Sequence, residues 1–517
     1  MQTTKKDLLE KFVSNLLRKK NPDEFLEQSA AGGLKKTLNA FDLIILGISA
    51  IIGAGIFVMI GSAVIGTTER VGAGPALVIS IFLVALACIF PALCYAEFAS
   101  MIPVSGSAYI YTYATMGEFA AWMMGWVLML EYAIGTIAVA ASWSGYLIKF
   151  FEGFPFLPDF MKNPPVWLVN DYQSAFASGE NIPHILGIPI CMNLPAMIII
   201  TIISVVLLKG IKESANFAKM MVLVKIIVIA LFICVGALYV KPENWTPFCP
   251  TGLKGILMGA FAMFYAYIGF DAISTAAEET KNPQRNLPIG LIGSLVICSL
   301  IYCFVTFVLT GMIPMSQIDL KAPIAAAMSF VGQDWFAGAI AIGALAGLTS
   351  VLLVLQFGTT RILLAMARDG LLPSVMKDIH PKFQTPWVIT ILSTILMLIG
   401  SLFINMQVAA ELAIFGTFTS FVIVCIGILI LRKTEPNRER PFKVPCCPWF
   451  PIIGAVFCSG LMFVALREVK TSAFLFPLWL VIGIVIYFLY GYRNSRKEIP
   501  IKLQNTENIE QNKIIIK

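Results

Sequence analysis

Ile51-Ile52-Gly53-Ala54-Gly55-Ile56-Phe57 and Phe264-Tyr265-Ala266-Tyr267-Ile268-Gly269-Phe270-Asp271 are the two stretches on which the fold turns. Each sits inside an apolar run long enough to cross a bilayer, and each holds residues that a continuous helix disfavours. Two glycines two apart destabilise a helix by roughly 1 kcal/mol each relative to Ala. Gly269 adjoins an aromatic cluster and a carboxylate at membrane depth. Close packing of small residues would account for the first stretch taken alone. The second stretch changes that reading. The interruptions fall in the first and sixth spans, corresponding places in spans 1–5 and 6–10. Interrupted spans at matching positions of two halves predict a binding site between repeats of inverted topology.

Working outward, the composition demands a membrane. Of 517 residues, 58% are hydrophobic and 13% are charged, whereas a soluble domain is about 25% charged. A soluble enzyme, a nucleic-acid binder, a disulfide scaffold and a disordered chain are all excluded as descriptions of the whole. A spanning helix needs about 20 mostly apolar residues. Twelve such runs are predicted, at 42–66, 74–100, 118–148, 191–209, 214–240, 254–281, 288–313, 333–366, 386–404, 408–432, 449–467 and 472–492. The fold class is therefore all-α, with helices 1–5 and 6–10 as a five-plus-five inverted repeat followed by helices 11–12. The divisions are a tail at 1–41, a first repeat at 42–240, a second at 241–432, a loop with two helices at 433–493 and a tail at 494–517. The 118–148 and 333–366 runs exceed a bilayer and should tilt or project. The Pro-rich 149–190 connection is expected to be an external loop with little regular structure.

With the N-terminus inside, 28 Lys and Arg fall on the cytoplasmic side and 8 outside, with Lys225 alone in mid-span. That asymmetry predicts both termini in the cytoplasm, in a cell membrane of bacterial type. Both tails are polar, and the one from Asn494 is expected to be mobile. The first 41 residues carry eight Lys and Arg, too charged for a signal-peptide core. No metal or cofactor is expected: the 11 Cys are scattered, with no CxxC pair. Cys88, Cys94, Cys191, Cys234, Cys298, Cys303, Cys425 and Cys458 read as small buried hydrophobes. Both His, His184 and His380, lie in polar connections, so no imidazole serves as a proton switch within a span.

A broken helix has chemical uses. Unwinding exposes N–H groups at the start of one half-helix and C=O groups at the end of the other. The first end attracts an anion such as a carboxylate. The second attracts a cation such as an ammonium group. A pair of such breaks suits a zwitterion, and an α-amino acid carries both groups on one carbon.

At these residues the sequence resembles the amino acid–polyamine–organocation superfamily, in particular bacterial permeases of the cationic amino acid transporter type. Gly53-Ala54-Gly55-Ile56-Phe57 carries one signature. Tyr267-Ile268-Gly269-Phe270-Asp271-Ala272-Ile273-Ser274-Thr275-Ala276-Ala277-Glu278-Glu279 with Lys281-Asn282-Pro283-Gln284-Arg285 carries a longer and more specific one. A third runs from Arg361 through Met366-Ala367-Arg368-Asp369-Gly370-Leu371-Leu372-Pro373. The resemblance covers about residues 35–490. It implies alternating access and uptake of amino acids, driven by protons or by exchange. It also implies that the substrate carboxylate meets N–H groups around Ala54 and Gly55, beside Gly53 and Ile56. The ammonium group would meet carbonyls of Ile51, Tyr265, Ala266 and Ile268, with Tyr265 as an aromatic gate. Ala54 stands where some relatives have Ser or Thr, so no hydroxyl assists there. Leu348, in a small-residue stretch of the eighth span, would limit pocket size.

Three ionisable side chains are predicted deep in spans: Glu131, Lys225 and Asp271. Each is expensive unless paired or hydrated. At 1.5 Å per residue, all three and Gly53 fall in one layer about 15–20 Å from the cytoplasmic ends. In sodium-coupled members of this fold an ion sits between helices 1 and 8. The resemblance implies that the Lys225 ammonium takes that place and donates to carbonyls near the first break. Glu131 is expected to pair with Lys225 and to accept a proton. Asp271 either joins the proton carriers or caps the inner half of the sixth span. Glu97 and Glu411 are expected near span ends, and Glu278-Glu279 with Lys281 to Arg285 at the cytoplasmic end of the sixth span, as a gate or a static network.

The partners expected are an amino acid, protons and membrane lipid. Glu131 is claimed by Lys225, so no acid is left for a basic substrate side chain, and a neutral amino acid is favoured over a cationic one. An exchanger of amino acids or polyamines without proton coupling is the alternative of the same class. A transport-like sensor or a channel is the alternative of another. A channel needs a continuous polar pathway and an enzyme needs a nucleophile or metal set at one depth, and neither is visible in the sequence.

Overall fold

The computed structural model describes residues 14, 16–25, 36, 38–68, 70–104, 106–152, 157–179, 182–185, 188–209, 211–383 and 385–495, with the backbone alone over 211–218. Most of the two polar tails, of which the one from Asn494 is expected to be mobile, lies outside the described residues.

The first span opens at α1 (Ala40–Ile51) with a capping box. Asn39 Oδ1 accepts from Asp42 N and Asp42 Oδ2 accepts from Asn39 N, both at 3.0 Å. The helix stops at Ile52, whose backbone is extended. It resumes as a π-helical turn, Gly55–Met59, and then α2 (Ile60–Ile65). The chain continues through α3 (Leu77–Met101), a short α4 (Ala108–Met116) and α5 (Glu118–Glu152). Then come a strand pair, β1 (His184–Ile185) and β2 (Ile188–Pro189), α6 (Leu194–Lys209) and α7 (Ile211–Gly236).

The sixth span repeats the interruption in another form. It begins as α8 (Gly252–Phe264), tightens to one 3-10 turn at Tyr265–Tyr267, and turns at Gly269. Gly269 has φ 96, the left-handed region that costs a residue with a Cβ about 1–2 kcal/mol. The remainder, Phe270–Glu279, is a 3-10 helix of ten residues, where runs beyond 3–4 residues are uncommon and often mark a hinge. After it come α9 (Pro283–Met312), α10 (Pro323–Phe330), α11 (Asp334–Arg368), α12 (Trp387–Phe403), α13 (Met406–Thr434), α14 (Trp449–Glu468) and α15 (Lys470–Ile486).

Among the described residues, 10 helices are long and apolar enough to cross a membrane, and α6 and α12 are shorter apolar helices. This is an all-α integral membrane protein. Burial sorts the helices: the most apolar part of Gly252–Glu279 is 89% buried and that of Lys470–Asn494 is 22% buried. The sixth span is therefore central and the last is peripheral, with Phe474, Val481 and Leu489 exposed where lipid would cover them. The two long helices α5 and α11 pack against each other at the centre, and α13 packs on α5.

Three expectations need correction. The 149–190 connection contains helical turns at Asp159–Lys162, Val166–Val169 and Tyr172–Ala177 besides the strand pair. Its prolines start two of these turns, because Pro suits the boundary position where an N–H is not needed. Cys234 is exposed and Cys303 partly so, since both sit on the outer side of apolar helices. Glu411, expected at the interface, is buried, and Glu97 lies near the end of its span as expected but is buried there.

Both described chain ends meet on one face, called basal here, where Arg18 Nη2 donates to Ser495 O at 3.2 Å. Leu38 pairs with Thr280 as an isolated bridge, its N–H donating to Glu279 O (3.0 Å) and its O accepting from Lys281 N (2.8 Å). Thus the start of the first span and the end of the sixth are held together. Residues 16–25 cross the same face through Arg18–Glu118 (2.9 Å), Lys20–Asp369 (2.7 Å) and Asp23–Arg438 (2.9 Å). At the basal end of α3, Glu97 is fully buried between Arg432 and Arg440 and accepts from Val444 N at 2.7 Å.

The two kinds of ion pair should differ in energy. Removing one partner of a buried pair costs about 3–5 kcal/mol, because the other charge is left uncompensated. An exposed pair is worth about 0–1 kcal/mol. Glu97→Ala is therefore expected to lower the thermal unfolding midpoint of the purified protein markedly. Asp23→Ala, which removes a carboxylate 65% exposed, should leave it nearly unchanged. Equal midpoints for the two variants would show that Glu97 does not hold α3 to α13.

Candidate functional site

The two breaks face each other at the centre of the bundle. A Cβ on Gly55 would overlap the main chain of Ala266, so the first break can touch the second only because residue 55 has no side chain. The Tyr302 hydroxyl, from α9, lies 2.7 Å from Ile51 O and 2.9 Å from Ala266 O. It has one proton to donate and can give it to either carbonyl. Two of the carbonyls expected around an ammonium group thus converge on one point. On the other side of the break, Ile56 N and Phe57 N both turn back to Gly53 O, at 3.2 and 3.1 Å. Ala54 and Gly55 stand at the start of the resumed helix, where the first N–H groups have no preceding turn to bond to.

A small cavity lies against the breaks. Ala50, Ile51, Gly53, Ala54 and Gly55 line it from the first span, and Tyr265 and Ile268 from the sixth. Gly135 and Val139 of α5 and Val351 and Leu355 of α11 complete it. Gly135 keeps one wall open: a Cβ there would meet only Leu355 Cδ1, at 3.5 Å. The Tyr265 hydroxyl is 3.5 Å from Gly135 O. No charged side chain is among the lining residues.

The predicted residues fall into three groups. Ile51, Gly53, Ala54, Gly55, Tyr265 and Ile268 line the cavity. Ile56 and Ala266 are buried in its surroundings, Ala266 against Gly55. Leu348 is fully buried but does not line it. The α11 positions that do are Val351 and Leu355, one and two turns further on.

Lys225, on α7, is completely buried. Its Nζ donates to Ile52 O (2.8 Å), Ser49 O (3.0 Å) and Ser350 Oγ (3.2 Å). Three N–H donors thus meet three acceptors. The two carbonyls belong to the end of α1, which the break leaves without helical partners. A cation there also complements the negative end of the helix dipole.

The expected pairing of Glu131 with Lys225 is not present. Lys225 is already satisfied by α1 and α11, while Glu131, on α5, faces α13. Its Oε2 accepts from the Ser420 hydroxyl at 3.4 Å and its Oε1 is buried with no hydrogen-bond partner. Asp271 begins the ten-residue 3-10 helix. Its Oδ2 accepts from the Tyr132 hydroxyl and, at 3.4 Å, from that of Ser107, and its Oδ1 has no partner. Tyr132 follows Glu131 directly, so the two acids are joined through neighbouring residues of α5. Neither acid is in an ion pair among the described residues.

Sequence reasoning missed the roles of Tyr302, Tyr132 and Ser350. A signal existed for the tyrosines: a phenol deep in an apolar span has to find an acceptor. Which acceptor it finds depends on packing between spans, which the sequence does not display.

The sequence model of the amino acid permease family matches residues 38–487. The chain belongs to the amino acid permease family. It is thus a transporter of the amino acid–polyamine–organocation superfamily, and not an enzyme. It is 43% identical to the methylthioribose transporter of Bacillus subtilis (strain 168) over 483 residues, covering 93% of this chain and 99% of that protein. It is also 43% identical to the branched-chain amino acid permease BcaP of the same organism over 485 residues, again covering 93% and 99%. The chloroplastic cationic amino acid transporter 9 of Arabidopsis thaliana is 38% identical over 474 residues, covering 91% of this chain and 80% of its own length.

In this permease the contact between the breaks and the open wall at α5 make opposite demands. Gly55→Ala pushes a methyl into the Ala266 backbone and should abolish uptake of labelled amino acids even where the protein reaches the membrane in normal amount. Gly135→Ala adds only an ordinary contact with Leu355 and should retain uptake. Transport by Gly55→Ala at the wild-type rate would show that the two breaks need not touch.

Proposed function

We propose that this permease carries a neutral aliphatic L-amino acid by alternating access, driven by protons and not by sodium. The observation that carries the substrate reading is the lining of the central cavity. Its polar groups are main-chain groups of two helix breaks, suited to a carboxylate and an ammonium, and its remaining walls are Val139, Ile268, Val351 and Leu355. A cationic side chain would find no acid there. A thio-sugar would need partners for several hydroxyls, and of the lining side chains only that of Tyr265 has a polar atom. The relative named as a branched-chain amino acid permease therefore gives a better guide than the equally similar methylthioribose transporter.

The coupling reading rests on two features. Lys225 bonds the end of α1 and Ser350 of α11, the place between helices 1 and 8 that a sodium ion takes in coupled relatives of this fold. Among the described residues Glu131 and Asp271 are buried acids without a cation partner, able to bind and release a proton as the bundle moves. The architecture behind this reading has twelve spans, α6 and α12 included, in a five-plus-five inverted repeat with two further helices. The basal face is the cytoplasmic side of a cell membrane, with both termini there. Exchange without proton coupling is the rival within the same class, and sensing without flux or channel conduction the rival outside it.

The test is uptake of labelled leucine, isoleucine, valine, alanine, arginine and methylthioribose into proteoliposomes. Sodium is replaced by choline in one arm, and the proton gradient is collapsed by an ionophore in another. Aliphatic amino acids should accumulate without sodium and lose accumulation with the gradient. Lys225→Ala should fail to cycle, since it leaves buried carbonyls unpaired at about 1–3 kcal/mol each. Glu131→Gln should keep exchange while losing gradient-driven accumulation. A sodium requirement, or accumulation indifferent to the proton gradient in wild type and Glu131→Gln alike, would overturn the coupling. Preference for arginine or methylthioribose would overturn the substrate.

A further inference from the structure

Toward the basal face from the central cavity, α1, α7, α11 and the 270–279 segment line a second, partly open cavity. Its walls are mainly apolar, with Ile45, Leu46, Leu353 and Phe357 among them. At its mouth Lys219 Nζ and Asp42 Oδ1 are 2.8 Å apart, and Glu279 lines the same space. At its deep end Ser49 is fully buried, and its hydroxyl has no hydrogen-bond partner.

This cavity adjoins the first on each helix that they share. Ser49 is next to Ala50, Leu353 and Val354 fall between Val351 and Leu355, and Ala272 follows Ile268 by four residues. What stands between the two is a separate small cluster of Ala50, Ala272 and Val354, with Leu46 packed against it. A layer of two alanines and a valine is a thin partition.

We infer that the second cavity is a binding site for the transported amino acid, a stop between the central site and the cytoplasm. The inference rests on the proposed substrate class. Its chemistry is the placing of opposite charges at the rim of an apolar chamber. A zwitterion can exchange the Lys219–Asp42 pair for two pairs, with its carboxylate on Lys219 and its ammonium on Asp42 or Glu279. An aliphatic side chain then lies on Ile45, Leu353 and Phe357, with the idle Ser49 hydroxyl beyond it. Among the lining side chains two acids stand with one base, which favours a ligand that brings an ammonium group, although Arg361 acts on Glu279 and Lys281 on Asp42 from outside the lining. The pair itself gives the fold little, because Lys219 is 44% exposed.

The experiment is equilibrium binding of tritiated L-leucine to the purified full chain in phosphatidylcholine nanodiscs. Wild type is expected to bind two leucines per protein. Lys219→Met should bind one. Gly135→Leu, which fills the central cavity from its open wall, should also bind one, and the double variant none. One leucine per wild-type protein, lost in Gly135→Leu and kept in Lys219→Met, would overturn the second site and leave the first intact. No leucine bound by wild type would overturn both readings together. A second measurement guards against misfolded variants. Ser49→Cys in the Gly135→Leu background should react with a maleimide applied to the basal face, and leucine should slow that reaction. Labelling that leucine does not slow, or that added phosphatidylglycerol slows in its place, would assign the cavity to lipid and overturn the inference.

Discussion

An α-helix broken inside a membrane leaves main-chain groups with nothing to bond to, and hydrocarbon supplies no substitute. Every distinctive feature at the centre of this permease answers that constraint. At the end of α1 the Lys225 ammonium takes the carbonyls of Ser49 and Ile52. Tyr302 reaches the carbonyls of Ile51 and Ala266, and Tyr146 donates to Phe57 O at 2.7 Å. Each helper comes from a different helix, so the break is stable only in the assembled bundle. Main-chain atoms of both breaks line the central cavity, and under the proposed function a substrate with charges of both signs on one carbon binds against them.

The same constraint explains why the buried charges occupy different elements. A lysine beside freed carbonyls needs no carboxylate, and Lys225 has none. The acids Glu131 and Asp271 are held by hydroxyls from Ser420, Tyr132 and Ser107. A hydroxyl can serve a carboxylate in either protonation state, because it both donates and accepts. An arginine would hold it ionised, as Arg432 and Arg440 suit Glu97. Thus a fixed charge at the basal end of α3 and a changeable one at the centre differ in the chemistry of their neighbours.

Apolar run length made the membrane class legible, and the paired interruptions pointed to the centre of the bundle. Ile51, Gly53, Ala54, Gly55, Tyr265 and Ile268, named from the breaks and from the motif positions that the family resemblance implies, do line the central cavity. Leu348 could not be placed correctly: which of several positions on α11 meets the cavity depends on helix rotation by a fraction of a turn. The Glu131–Lys225 pairing failed for a related reason. Equal depth places two charges in one layer but says nothing about which side of the bundle each helix presents. Glu97 read correctly as a span-end residue, but its burial was not legible, because its clamp comes from α13 and the loop after it, more than 300 residues away. The helical turns in 157–179 were obscured by prolines that read as breakers and act as starters.

The long 3-10 helix at Phe270–Glu279 has a geometric consequence. A 3-10 helix advances about 2.0 Å per residue and an α-helix about 1.5 Å. Ten residues wound one way or the other differ in reach by about 5 Å, close to one α-helical pitch. The segment is anchored below by the Leu38–Thr280 bridge and above by the turn at Gly269, which its own lack of a side chain permits. A change of winding between those anchors would draw the start of the first span toward or away from the centre of the membrane. Rewound as an α-helix, the segment would shorten the link beneath the central cavity without bending any long helix.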